Sequence, residues 1–424
     1  MITLRPESTR NAPRGASQEV ALATEIIEVT GHIVDSLLLA KILDSILDAG
    51  CDYEIVDVSI GKTSLDASSA RIAVTGDDEV LGTLLDELQV HGANRTAQQD
   101  ARLVAADQDG VLPAGFYSTT NLASGVRVDG TWLSVENPEM DCGLIVRDGR
   151  ALTVPMHRVR AGDMVVVGSE GVRVQAPDRA RGAQAFEFMA SEVSSEKPKA
   201  LLVARVIQRV REVRARGGKV LVVAGPAVVH TGGAPDLARL VEDGWVDVLF
   251  AGNGFATHDI ESNVLGTSLG VSVDEGTPTE GGHANHLRVI NEVRRHGSIA
   301  AAVDAGFVTG GVMRACVQAG VPFVLGGSIR DDGPLPDVIT DVVEAADAMR
   351  AHLDGVQVAL MLASTLHAIA TGNCLPAGVE TFCVDINQAV VTKLADRGSH
   401  QALGIVTDVG PFVRQLADGL VGTS

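Results

Sequence analysis

The chain is predicted to be an α/β protein: a C-terminal Rossmann-like parallel sheet with helices on both faces, preceded by a small ferredoxin-like α+β module and a β-rich subdomain. Three observations predict this. Beyond about residue 200, strands that are apolar throughout alternate with amphipathic helical stretches, the pattern of a parallel sheet covered on both faces. Glycine-rich, hydrogen-bonding segments recur just after those strands, where open α/β sheets bind their ligands. The stretch from Glu25 to about Gly92 instead reads β-α-β-β-α, the order of a ferredoxin-like module.

Each element has its own signal. Residues 1–22 are polar and carry Arg5, Arg10 and Arg14, which reads as a frayed tail without the apolar core of a signal peptide. In a first module over 23–110, Glu25–Thr30 alternates as a strand and Ile33–Ala49 has helical periodicity. Tyr53–Ile60 and Ala70–Thr75 are strands, and Asp78–Val90 is a second helix. Over 111–199, short alternating segments such as Met164–Val167 and Val172–Val174 are broken by Gly-Asp, Ser-Glu-Gly and Pro signals, a β-rich linking subdomain. Residues 200–424 form the Rossmann-like domain. Its strands are Val220–Ala224, Val246–Ala251, Pro322–Leu325, Gln357–Ala363, Thr381–Asp385 and Leu403–Thr407. Helical stretches include His286–His296, Ile339–Leu353 and Ala389–Arg397.

Composition excludes several classes of function. The chain has 424 residues and a formal net charge of −20, the opposite of the basic stripe that a nucleic-acid surface needs. No apolar run approaches the roughly 20 residues that cross a bilayer, so no membrane partner is expected. The 5 cysteines are scattered without a C-x-x-C pair, which fits a cytoplasmic protein and argues against a disulfide framework or structural zinc. Cys142 has no sequence-linked histidine and reads as a buried structural thiol.

The strand ends carry the chemistry. In order they are Gly225-Pro226, Gly252-Asn253-Gly254, the loop Gly326–Asp337 with Arg330, Asp331 and Asp332, then Ser364-Thr365-Leu366-His367, Asp385-Ile386-Asn387, and Thr407-Asp408-Val409-Gly410. One pair has a specific logic. A strand that runs into Ser364-Thr365, a natural helix N-cap, offers N–H groups and positive dipole to a pyrophosphate. Asp385, about 20 residues on, is placed to accept from a ribose 2′-OH and to favour NAD over NADP. The usual G-x-G-x-x-G is missing from this turn. On spacing alone a dinucleotide site stands level with a plain helix cap and strand end.

His230, His258, His283 and His286 lie in loop-like or glycine-rich segments, and His367 opens a helix. Their spacing matches no zinc pattern, so satisfied or substrate-contacting histidines are preferred to metal ligands. His258 beside Asp259 suits proton transfer.

The chain resembles the archaeal-type, NAD-dependent ornithine cyclodeaminases, relatives of the LOR/SDH conserved region and of the C-terminal part of arginine dihydrolase/ornithine cyclodeaminase fusions. The resemblance runs from about Glu25 to Leu420. It is carried by Gly31-His32-Ile33-Val34-Asp35-Ser36, Pro113–Asn121, Val135-Glu136-Asn137 through Cys142, Ala224-Gly225-Pro226 and Ala251-Gly252-Asn253. Further carriers are His258-Asp259-Ile260-Glu261, Ser328–Asp337, Ser364–His367, Val384–Asn387 and Thr407–Gly410.

The resemblance implies NAD held by Asn253, Gly254, Asp331, Ser364, Thr365, Leu366, His367, Asp385, Asp408 and Val409. It implies that L-ornithine is oxidised at Cα, that its δ-amine displaces ammonia, and that the cyclic imine is reduced to proline. Asp332, or His258 with Asp259, is expected to move protons. Arg330 is expected to hold the α-carboxylate or to pair with Asp337, and Glu261 is a substrate-binding carboxylate. A homo-oligomer is the common expectation. The rivals are a net NAD-dependent amino-acid oxidoreductase and an NAD-binding regulatory protein without turnover.

Overall fold

A computed structural model of the chain describes residues 22–34, 38–62, 66–96, 99–175, 199–268, 271–272, 284–331, 333–396 and 402–422. The first unit contains β1 (Leu22–Gly31), α1 (Leu38–Asp48), β2 (Asp52–Ser59), β3 (Ser68–Asp77), α2 (Asp78–Val90) and β4 (Ala93–Arg95). Its antiparallel sheet has the order β2-β3-β1-β4, the ferredoxin-like arrangement. Alternation sets the buried face: Ile27 and Val29 of β1 with Ala70, Ile72 and Val74 of β3 pack under Ile42 and Ile46 of α1 and Leu81, Leu84, Leu85 and Leu88 of α2. Residues 32–34 form a turn instead of the expected first helical turn. Ile33 is buried there, and its carbonyl accepts from Leu39 N–H at 3.0 Å. The short β4 had too few residues for a period-2 pattern to show.

The second unit contains β5 (Arg102–Ala105), β6 (Ser124–Val128), β7 (Thr131–Glu136), β8 (Gly143–Arg147), β9 (Arg150–Val154), β10 (Met164–Val167) and β11 (Val172–Val174), in the order β11-β6-β7-β9-β8-β10-β5. Because β5 pairs with β10, this unit begins before residue 111, where the sequence reading placed its start. The β6–β7 and β8–β9 hairpins close through Asp129-Gly130 and Asp148-Gly149. All four residues have positive φ, which the tight type I′ geometry requires.

The third unit opens with α3 (Lys199–Ala215), β12 (Lys219–Ala224), α4 (Ala227–His230), α5 (Ala234–Glu242), β13 (Val248–Gly252) and α6 (Asn253–Leu265). It continues with β14 (Thr267–Ser268), β15 (Val271–Ser272), α7 (Asn285–His296), α8 (Ile299–Asp304), α9 (Gly311–Ala319), β16 (Phe323–Gly326) and β17 (Val338–Ile339). The last elements are α10 (Val342–Ala351), β18 (Val356–Leu362), α11 (Leu366–Cys374), β19 (Glu380–Asp385), α12 (Gln388–Asp396), β20 (Ala402–Val406) and α13 (Val409–Leu420).

The main sheet of this unit is parallel throughout, in the order β17-β16-β13-β12-β18-β19-β20. From β12 the chain winds outward to β17, then returns to the other side of β12 and winds outward again to β20. The winding direction therefore reverses between β12 and β18. Both faces are buried: Val220, Val222 and Ala224 enter one core, and the alternate Leu221 and Val223 enter the other. The partners Ala224↔Ala251, Ala224↔Leu362, Gly252↔Gly326, Leu362↔Val384 and Asp385↔Val406 bring the carboxyl ends of the strands to one edge.

The second unit docks on α10 and α11. Asn121 bonds both ways with the α11 exit: its Nδ2 donates to Leu375 O at 3.3 Å, and its own carbonyl accepts from Ala377 N–H at 2.8 Å. Beside them Arg350 Nε donates to Glu139 Oε1 and Oε2 at 2.8 and 3.0 Å, in a pair with side chains only 19% and 10% exposed. Arg350→Leu leaves the Glu139 carboxylate buried without its partner and is expected to lower the unfolding free energy by roughly 3 kcal/mol. The readout is a lower urea midpoint, with part of the loss recovered when Glu139→Gln is added.

Candidate active site

The reversal between β12 and β18 leaves a crevice outside their carboxyl ends, where doubly wound sheets take ligands. Gly225 lies against the end of β18 so closely that a Cβ there would sit 1.8 Å from Ala363 O. Ala363 itself holds a φ of +46°, a left-handed conformation uncommon outside glycine. The next residues turn the chain into α11. Ser364 is buried and Thr365 occupies the N-cap position, but Thr365 makes no side-chain capping bond, contrary to the cap that the sequence suggested. The reason is its helical backbone (φ −88°, ψ −61°), whereas a capping side chain needs an extended one.

The first-turn N–H groups of α11 thus lack a side-chain cap, at a point where glycine admits a close backbone approach. One strand further along, Asp385 ends β19 with its Oδ1 accepting from Asn387 N–H at 2.8 Å. Asp408 ends the β20 segment and caps α13 through Gly410 N–H at 3.0 Å, with Val409 buried. A glycine packed against the strand exit, a helix start without a side-chain cap and a carboxylate on the neighbouring strand together fit a dinucleotide.

The other wall is built on β13 and β16. A Cβ on Gly252 would meet His367 Cε1 at 2.7 Å, and one on Gly326 would meet His367 Nε2 at 3.2 Å. The imidazole of His367 therefore lies across two strand ends, and burial lowers its pKa, against a smaller opposing effect of the Gly326 backbone and Asp331. Asn253 ties this wall together, its Oδ1 accepting from Leu335 N–H at 3.0 Å and from Thr257 Oγ1 at 3.3 Å. Gly254 packs beside Pro226, where a Cβ would come within 3.4 Å of Cγ.

In the Gly326–Asp337 loop, Asp331 Oδ2 accepts from Ser328 N–H at 2.8 Å and fixes the turn. Arg330 is exposed, and the suggested ion pair with Asp337 is not formed: Asp337 Oδ2 accepts from Ile299 N–H at 2.8 Å instead. Asp332 and His283 lie outside the described residues.

A third group sits on the helices that leave β12 and β13. His258 Nδ1 bonds Glu261 Oε2 at 2.8 Å, and Glu261 Oε1 accepts from Thr267 Oγ1 at 2.8 Å. Thr267 in turn accepts from Asn285 Nδ2 at 2.9 Å. A carboxylate can only accept, so Nδ1 of His258 carries a proton and donates it to Glu261. His230 stands edge-on to His258 with ring centroids 5.0 Å apart, and His286 is 6.4 Å away. His230 Nδ1 bonds Ser268 Oγ at 2.6 Å, and burial, then the His258 charge, push its pKa down to about 4. Thr267, Ser268 and Asn285 carried no sequence signal, because the two-residue β14 is too short for a periodic pattern and Asn285 is a single polar residue at the start of α7.

One sequence expectation needs correction here. Asp259 adjoins His258 in sequence but is fully buried, with Oδ1 accepting from Val312 N–H at 3.0 Å and Oδ2 from Met313 N–H at 2.8 Å. It anchors the start of α9, and residues adjacent on a helix do not share a face. Glu261 is likewise fully buried, its two oxygens bonded to His258 Nδ1 and Thr267 Oγ1. Cys142 is a buried free thiol, as expected, its pKa pushed up to about 12 mainly by burial.

Residues 204–416 match the family described as arginine dihydrolase ArgZ-like, C-terminal, Rossmann fold. Residues 123–203 match the first region of the same C-terminal part, and 24–122 match the LOR/SDH bifunctional enzyme conserved region. The ornithine cyclodeaminase of Methanopyrus kandleri is 51% identical over 400 residues, covering 93% of this chain and 97% of that one. The crystal structure of cyanobacterial ArgZ, an arginine dihydrolase, superposes with a TM-score of 0.83 at 37% identity, over 97% of this chain and 60% of that one. The ternary complex of AgrE with ornithine and NAD+ gives a TM-score of 0.52 at 41% identity, over 97% and 59%.

The buried Asp259 carboxyl has its pKa raised to about 6, by burial first and against the two backbone bonds. A raised folded-state value means stability that is complete below the unfolded value near 3.8 and is lost as pH rises through 6. Asp259→Asn loses one backbone bond at every pH but removes this titration. Wild type is therefore expected to lose about 3 kcal/mol relative to the variant between about pH 4 and pH 6, read from urea unfolding across that range.

Proposed function

The chain belongs to the family of archaeal-type ornithine cyclodeaminases and their arginine dihydrolase fusions, and from that membership we propose that it converts L-ornithine to L-proline and ammonia with NAD as a resident cofactor. The observation that carries the reading is the crevice at Gly225, Ala363 and Ser364, with Asp385 one strand away, in a chain half identical to named ornithine cyclodeaminases.

When bound, NAD takes the Cα hydrogen of ornithine with its electron pair and returns it after the δ-amine has displaced ammonia, so the reaction has no net redox change. The Ser364–His367 turn presents first-turn N–H groups to the pyrophosphate, with Asn253 and Gly254 on the facing wall. Asp385 accepts from the ribose hydroxyl, and Asp408 and Val409 line the outer end. His258 Nε2 removes protons from the substrate amines and returns one to departing ammonia, while Glu261 holds the ring from Nδ1. Arg330, exposed at the tip of its loop, holds the α-carboxylate.

The same reading takes the enzyme to be a cytoplasmic homo-oligomer. The 5 free, buried cysteines support a reducing compartment. Edge strand β2 exposes Ile55, Val56 and Val58, an apolar rim suited to a second copy.

Incubation with L-ornithine and NAD is expected to give proline and ammonia in equal amounts with no NADH at 340 nm. Accumulating NADH points to a net oxidoreductase, and tight NAD binding without turnover to a regulatory protein. Asp385→Ala is expected to weaken NAD binding about 10-fold or more and to narrow the preference over NADP, by fluorescence titration. Glu261→Leu removes the acceptor that holds the His258 ring and is expected to lower kcat on the order of 10- to 100-fold, with NAD affinity unchanged.

A further inference from the structure

Helix α11 is held unevenly along its length. At its start the Ser364–His367 turn leads out of β18 with no side-chain cap. Its buried side is made of the small residues Ala368, Thr371 and Cys374, whereas α13 buries Phe412, Val413 and Leu416. Small side chains bring less apolar area to the sheet, so more of the placement of α11 falls on its ends. The last carbonyls of a helix have no partner within it, and here the second unit supplies the donors. Met140 N–H donates to Asn373 O at 3.3 Å, and Asn121 Nδ2 donates to Leu375 O at 3.3 Å. Just past the helix, Ala377 N–H donates to Asn121 O at 2.8 Å, and the Ala377 side chain closes a small apolar cluster with Leu122 and Val174.

The two segments that supply these donors are fastened to each other. Thr119 Oγ1 donates to Glu139 O at 2.6 Å and accepts from Cys142 N–H at 3.0 Å. The Thr119 main chain adds two more bonds, its N–H to Cys142 O at 3.0 Å and its carbonyl from Asp141 N–H at 3.1 Å. Asn137 and Asp141 hold positive φ values of 46° and 61°, which bend the chain around Glu139 and Met140. The Glu139 carboxylate then pairs with Arg350 of α10, the helix beside α11. Two stretches that carry the family resemblance, Pro113–Asn121 and Asn137 through Cys142, thus meet at the far end of α11 and supply none of the strand ends.

We propose that Asn121, with the Met140 main chain, is a positioning residue for the cofactor: the second unit braces α11 from behind and sets the direction in which its first turn meets the pyrophosphate. The inference rests on the cofactor reading above. The 9 residues of α11 span about 13 Å as one rigid rod, so a shift at the braced end is carried to the Ser364–His367 turn. The coupling is reciprocal. A brace that favours the NAD-binding pose is itself tightened when NAD binds.

The test is hydrogen exchange of the full-length protein with and without NAD, followed by mass spectrometry. NAD is expected to slow exchange in the Ser364–Ile369 turn and, about 10-fold or more, at the Met140 and Ala377 amides. Ala106 N–H, bonded inside the second unit to Asp163 O at 2.8 Å, is expected to exchange at the same rate in both states. Asn121→Ala removes the bond to Leu375 O and keeps the main-chain bond with Ala377. This variant is expected to bind NAD about 5-fold more weakly, and to lose as much for ADP-ribose, which shares the pyrophosphate. A purely structural Asn121 would lower the melting temperature too, so affinity measured well below melting is the reading that decides. Slowing at Ser364–Ile369 without slowing at Met140 and Ala377, or unchanged NAD affinity in Asn121→Ala, overturns the brace and leaves the cofactor reading standing. No slowing at either place overturns the cofactor reading and the brace with it.

Discussion

The contact between Gly225 and the end of β18 is the constraint on which the rest of the site depends. Strands β12 and β18 are neighbours in the sheet, yet the chain reverses its winding between them. Their exits must therefore part around a ligand while their backbones touch. Only a residue without Cβ fits at 225, and Ala363 takes a left-handed backbone to lead the chain away. From that pinch the α11 start, the Asp385 carboxylate and the His367 ring all receive their places. The parallel register then lines up the remaining strand ends without further specification.

A second layer of constraint holds the histidines. Glu261, Thr267 and Asn285 form a chain of bonds that holds the His258 ring through Nδ1. Asp259, next in sequence, holds α9 instead, so the crossover between β13 and β16 is locked to the helix that carries His258. The acid–base machinery and the packing of the crossover therefore share one helix and divide its faces between them. His230, kept neutral by burial, adds a polar edge beside His258 without adding charge.

Much of this was legible in the sequence, for physical reasons. Fully buried parallel strands are continuous apolar runs, and six of them were located within a few residues of their observed bounds, whereas the two-residue β17 left no pattern. Strand-end residues such as Asn253, Asp385 and Asp408 stood out because small and hydrogen-bonding side chains follow apolar runs there. The start of the second unit at β5 was not legible, because four residues of alternation do not show which sheet they join. Neighbourhood in sequence misled at His258-Asp259, where helical geometry sends adjacent side chains to different faces and the true partner is Glu261, three positions on. The polar seam between the first two units could not be foreseen, since Gln89 and Asn94 meet Ser169, Val172 and Val174 across 80 or more positions of chain.

In the proposed reaction the hydrogen that leaves Cα returns to the same carbon within a closed cycle, carried by one bound cofactor molecule. The most direct measurement uses L-ornithine deuterated at Cα, the enzyme loaded with NAD, and mass spectrometry of the proline formed. Proline that keeps the deuterium at Cα, with none accumulating in free NADH, is the predicted result. Proline without the label, or label found in released NADH, contradicts the account.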